Sequence, residues 1–151
     1  MKTIIVFLDF DGVLHYFFPK EDKSDEENAY FYFLPNFESA IRELENEIDL
    51  KIVISSSWRE MKTLDEIKSY FSDDVADKII GVNPVFDKSI DFVREEESIL
   101  WLSTNALDEN WIAIDDFKDI WKNHEKLIHC IDGFTLIEKS KFVNLCRSLA
   151  S

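Results

Sequence analysis

Two aspartates, Asp9 and Asp11, stand two residues apart directly after the apolar run Ile4-Ile5-Val6-Phe7-Leu8, and Gly12 follows them. Like charges this close raise each other's pKa unless a cation lies between them, and a hard divalent ion with oxygen ligands, Mg²⁺ above all, is the usual solution. A second acidic pair, Asp115-Asp116, ends another apolar run, Trp111-Ile112-Ala113-Ile114. Between the two pairs, Lys51-Ile52-Val53-Ile54 runs into Ser55-Ser56-Ser57-Trp58-Arg59. Small hydroxyls and a planar guanidinium suit phosphate oxygens, which makes Ser55, Ser56 and Arg59 candidate phosphate contacts. Serine is equally a preferred helix N-cap, so a capping role stays open for any of the three serines. An EF-hand loop is excluded, because Val13 stands where it needs a third oxygen ligand.

Cations are the scarcer ingredient. Arg94 stands beside Glu95-Glu96-Glu97 at the start of a helical stretch, an end that favours anions. It reads either as the partner of a nearby glutamate or as a cation aimed at the carboxylates and a substrate phosphate. Lys88, six residues earlier, competes for the second role. The acidic run itself reads as a solvated first turn.

These groups need elements that bring them to one place. Both acidic pairs and the serines fall at the end of an apolar run, the pattern of strands buried on both faces in a parallel sheet. Five such runs occur, at 4–8, 51–54, 79–82, 111–114 and 127–131, separated by helical stripes such as Phe37, Ile41, Leu44 and Ile48. Thr135 with Glu138 forms a capping box before the last stripe. Strand and helix in alternation predict an α/β fold, and parallel strands point their carboxyl ends to one edge, where such sheets place ligands. Both acidic pairs then converge on one cation. Residues 15–35, two aromatic runs around an acidic tip, predict a hairpin or flap beside Asp9, serving as a lid or as a partner surface. Trp58 reads as core packing.

The 151 residues suffice for one domain with a substantial core, and 13 Phe and 4 Trp fill it. A formal net charge of −14 counts against general binding to nucleic acid or anionic lipid. No run is long enough to span a membrane, and the expectation is a cytoplasmic protein. Two cysteines, Cys130 and Cys146, fall on apolar stripes and read as core residues, and the three histidines fit no zinc spacing.

Taken in order, strand-Asp9-x-Asp11-Gly12, strand-Ser55, a cation opening a helix, and strand-Asp115-Asp116 resemble the haloacid dehalogenase superfamily of phosphohydrolases over nearly the whole chain. The wording Leu8-Asp9-Phe10-Asp11-Gly12-Val13-Leu14, Val53-Ile54-Ser55-Ser56-Ser57-Trp58-Arg59, Arg94-x-x-Glu97 and Ile114-Asp115-Asp116 is similar to the small domains of that type in Swiss-army-knife RNA repair proteins. The resemblance implies a three-layer Rossmann-like fold with the Asp9 strand at the centre of the sheet. It implies that Asp9 is the nucleophile that takes up the phosphoryl group, and that Asp11 protonates the leaving group and later deprotonates water, a task for a carboxyl of raised pKa. Ser55 matches the phosphate-binding position; Arg94 falls where the family has lysine, which keeps Lys88 in contention. Asp115 and Asp116 match the metal-binding acids, with Asp9 and Asp11 completing the Mg²⁺ set, Asp11 through its carbonyl.

No stretch is long enough for the family's cap domain, and an open site implies bulky phosphomonoesters such as nucleic-acid ends or phosphoproteins. The expected activity is a Mg²⁺-dependent phosphatase; the alternatives are phosphotransfer by the same residues, or an idle domain whose acidic, aromatic surface binds a partner. Oligomeric state and pathway leave no mark on the sequence.

Overall fold

The computed structural model describes residues 1–151. Strands β1 (Thr3–Leu8), β2 (Asp49–Ile54), β3 (Ile79–Val82), β4 (Asn110–Asp115) and β5 (Leu127–His129) form one sheet in the order β3-β2-β1-β4-β5, with every pairing parallel. β1 is central and registers Leu8 beside Ile54 on one side and Ile114 on the other. β1 and β2 therefore end level, with Asp9 and Ser55 next, and β4 runs one residue further, to Asp115. The two edge strands are the shortest, which limits the unpaired backbone offered to other chains.

Both faces of β1 are covered, as its unbroken apolar run requires. Ile4, Val6 and Leu8 face a core of 28 buried residues. Helices α1 (Leu34–Leu44), α2 (Leu64–Lys68), α3 (Asp73–Ala76) and α5 (Leu136–Ala150) supply much of that core, including Phe37, Ile41, Ile67, Val75, Phe142 and Cys146. Ile5 and Phe7 face the other way, against Trp101 and Leu102 of α4 (Val93–Thr104) and against Trp121. Each such side chain contributes roughly 2 kcal/mol on burial. Thr135 and Glu138 form the reciprocal capping box that opens α5. Cys130 and Cys146 are free and buried.

Residues 15–35 correct the expected hairpin: they contain no strand, only turns and irregular backbone up to Leu34, where α1 begins. Their backbone groups find side chains in place of a ladder. Asn28 accepts from the Lys20 N–H at 2.7 Å and donates to the Lys20 carbonyl at 2.9 Å, while Asp132 accepts from the Phe17 N–H and pairs with Lys20. The aromatics do not alternate. Tyr16, Phe31 and Phe33 pack inward on the core, whereas Phe17, Phe18 and Tyr30 stay exposed.

The acidic run of α4 is also corrected. Only Glu96 is exposed; Glu95 caps the Lys122 and Asn123 N–H groups, and Glu97 is buried between two arginines. Carboxylates at a helix start are favoured by the dipole, and here they also serve as tertiary acceptors.

Candidate active site

Asp9 leaves β1 with its N–H on the Ile114 carbonyl, so the nucleophile candidate is tied to the strand that carries the second acidic pair. The chain then turns tightly: Val13 and Leu14 both donate to the Phe10 carbonyl, and Gly12 takes φ +76°. A Cβ at Gly12 would collide with the Asp116 carboxylate, so glycine is required twice, for the backbone angle and for the approach of Asp116. Asp115 is buried, its two oxygens accepting from the Phe117 N–H at 2.9 Å and the Trp121 indole at 3.1 Å.

The result is one cluster. Ligand oxygens of Asp9, Asp115 and Asp116 all lie within 4.8 Å of one another. Burial raises all three carboxyl pKa values, and repulsion from the neighbouring carboxylates adds to it for Asp9 and Asp116; Asp116 is pushed up to about 6. Hard oxygen donors that repel one another in a buried place are a set that a small divalent cation would relieve, and Mg²⁺ fits them.

Ser55 is fully buried with its N–H on the Leu8 carbonyl, and its hydroxyl has no partner in the protein. A buried orphan hydroxyl at a strand end calls for an acceptor from outside. Arg94 lines the cavity of about 350 Å³ that holds Asp9, Asp11, Asp115 and Asp116. Arg94 pairs with a glutamate and also acts on the carboxylates. One terminal nitrogen binds Glu97 at 3.0 Å, while its charge draws down the pKa values of Asp9 and Asp115. Lys88 is exposed and does not line the cavity.

Two expected phosphate contacts are corrected. Arg59 has a side chain only 1% exposed, and all five of its N–H donors are occupied: by the carbonyls of Ser55, Ser56, Asn83 and Pro84, and by Glu97. It has no donor left for a phosphate. It ties the loops after β2 and β3 to α4 and, through Glu97, orients Arg94. Ser56 is buried and its hydroxyl accepts from the Trp58 N–H, the capping role. The neighbouring Ser57 lines the cavity instead.

Asp11 also departs from expectation. Its carboxylate is outside the three-acid cluster, so only its carbonyl remains for the metal set. One oxygen accepts from His15 Nε2 at 2.7 Å, and both receive the Trp58 indole N–H, at 3.1 and 3.3 Å. The Phe31 N–H donates to His15 Nδ1, which leaves the ring proton on Nε2, directed at Asp11. These donors, His15 first and then Trp58, hold the Asp11 carboxyl below its usual value despite its partial burial. His15 is the residue that sequence reasoning missed. Its spacing of four from Asp11 was the available signal, but no helix stands there to make such spacing informative. Trp58 is half-buried and hydrogen-bonded to the site, so it does more than fill the core.

A larger cleft of about 650 Å³ opens at the opposite end of the strands, around Thr3, Asn110 and Lys126, and holds no metal-ligating cluster.

A parallel sheet with a nucleophile-type aspartate at the central strand end, a hydroxyl on one neighbour and paired acids on the other defines a phosphohydrolase-like domain of the haloacid dehalogenase type. The chain belongs to the family described as the HAD domain in Swiss Army Knife RNA repair proteins, whose model matches residues 5–136. No curated protein and no solved structure gives a match. No helix is long and apolar enough to cross a membrane.

Proposed function

We propose that the protein is a Mg²⁺-dependent phosphatase that acts through an aspartyl-phosphate on accessible phosphomonoesters, polynucleotide ends among them. The observation that carries this reading is the convergence of Asp9, Asp115 and Asp116 within 4.8 Å beside the orphan hydroxyl of Ser55. Asp9 attacks phosphorus, the bond from phosphorus to the leaving oxygen breaks, and Asp11 delivers the proton that oxygen needs. Water then attacks the phosphoryl group, Asp11 takes its proton, and Asp9 is released with inorganic phosphate. Ser55 and Arg94 donate to the equatorial oxygens, each such donor being worth about 3 kcal/mol at the transition state. Held by the three carboxylates, Mg²⁺ would neutralise the repulsion between an anionic nucleophile and an anionic substrate.

The low Asp11 pKa suits the second half of the reaction, where an ionised carboxylate is needed as base. For the first half it must acquire a proton against the His15 and Trp58 hydrogen bonds. No insertion covers the site, and the family is found in RNA repair proteins; both support a bulky substrate. The net charge of −14 restricts how such a substrate is held.

The test is phosphate release from an aryl phosphate and from 3′- and 5′-phosphorylated oligonucleotides, with Mg²⁺ and with chelator. Metal-dependent turnover by the wild type, and none by a folded Asp9→Asn variant, is the expected result. A folded wild type that binds Mg²⁺ yet releases phosphate from none of these substrates overturns the phosphatase reading in favour of an idle partner-binding domain.

A further inference from the structure

We infer that the aromatic groove beside Asp11 is a subsite for the nucleobase next to the scissile phosphate. The inference rests on the phosphatase reading and adds where the rest of the substrate lies. The groove, of about 380 Å³, is lined by Tyr30, Phe31, Trp58, Met61, Lys62 and Tyr70.

Direction comes first. The leaving-group oxygen must lie against Asp11, and of the two side chains bonded to the Asp11 carboxylate His15 is buried, whereas Trp58, bonded through its indole, is only half-buried. That same indole is a wall of the groove. A substituent that leaves the phosphate past Asp11 on the Trp58 side therefore meets an aromatic surface.

Shape and chemistry follow. Tyr30 and Tyr70 both stand edge-on to Trp58, at 5.4 Å and 87° and at 5.8 Å and 90°, and Phe31 stacks on Tyr70 at 4.9 Å. Tyr30 is 72% and Met61 76% exposed, a large apolar area to leave in water unless something flat covers it. Lys62 is the groove's one charged side chain. A chain of net charge −14 cannot hold a polynucleotide by its phosphates, because that mode needs many cations. Stacking needs none and is worth about 1 to 3 kcal/mol per base, so an aromatic groove with a single lysine is how an acidic protein holds a nucleic-acid end.

The chain has two methionines, Met1 and Met61, so methyl-labelled methionine gives one signal in the groove and one remote control. Titration of the wild type with an unphosphorylated RNA trinucleotide is expected to move the Met61 signal and leave Met1 in place. The same trinucleotide with abasic sugars should move neither. A mononucleoside that binds as well as the trinucleotide assigns the groove to free nucleotides; weaker binding assigns it to strand ends. Tyr30→Ala should weaken trinucleotide binding about 10-fold, within the range of one lost stacking contact. Lys62→Glu, which replaces an exposed side chain and leaves the rings intact, should weaken it too and flatten its salt dependence. Equal response to the base-bearing and abasic ligands, or response to a phosphotyrosine peptide alone, overturns the inference. Because binding needs no turnover, a protein that binds the base but releases no phosphate refutes the phosphatase reading alone. One that hydrolyses base-bearing and abasic ends with equal KM refutes the subsite alone.

Discussion

Removing one acid from the cluster should stabilise the metal-free protein. In the absence of a cation, Asp116 titrates at about 6, raised from an unfolded value near 3.8. The sign follows from that direction: folding favours the protonated form, so an ionised Asp116 opposes folding in full above pH 6, and the opposition fades as pH falls from the folded value to the unfolded one. Two pH units correspond to about 3 kcal/mol at most. Asp116 is only partly buried, and solvent screening reduces the figure to about 1 to 2 kcal/mol. Asp116→Asn removes the charge and keeps the volume. For a chain of this length, thermal unfolding in chelator at pH 7.5 should shift up by about 3 to 6 °C. At pH 5 the folded carboxyl is protonated but the unfolded one is still mostly ionised, so the difference should fall to roughly half, and the two curves should close only below about pH 4. Adding Mg²⁺ should raise the wild-type midpoint and leave the variant's almost unmoved, since linkage stabilises only the state that binds. A variant no more stable than the wild type in chelator at pH 7.5, or a difference that does not shrink between pH 7.5 and pH 5, would refute the account of repelling carboxylates that await a cation.

Three further outcomes follow from named contacts. Ser55→Ala deletes a buried hydroxyl that has no partner, so stability should hold or rise by about 1 kcal/mol while kcat/KM falls about 100-fold; chemical denaturation and kinetics measured side by side separate the two. Arg59→Lys loses most of a five-bond staple inside the protein and should destabilise it by about 3 kcal/mol, read from the urea midpoint, which a surface phosphate contact would not do. His15→Phe keeps a ring but withdraws the strongest donor to Asp11, so the Asp11 pKa should rise and the acid limb of the pH profile of kcat should move to higher pH; a limb that stays in place would make the hydrogen bond merely structural.

Much of this architecture was written locally. An apolar run such as Ile4–Leu8 buries on both faces wherever it is placed, and the capping box at Thr135 and Glu138 needs only four residues to form. Acids at the ends of two such runs could be paired without a structure, because parallel strands share an edge. The 15–35 segment shows where local reading fails: its aromatics suggested strands, but Asn28 and Asp132 satisfied its backbone instead.

The sequence by itself determined the sheet, the strand ends and the polar residues that stand there: Asp9, Ser55, Asp115 and Asp116. Only the tertiary structure decided which of the remaining polar groups had donors to offer. Arg59 and Arg94 are the same residue type and were both candidates for a substrate phosphate, yet one has every N–H taken by carbonyls from two loops and Glu97, and the other lines the cavity. Asp9 and Asp11 are neighbours with pKa values moved in opposite directions, because one is buried against like charges and the other meets His15 and Trp58. Hydrogen-bond occupancy and burial are sums over neighbours distant in the chain, and residue type with spacing carries no record of them.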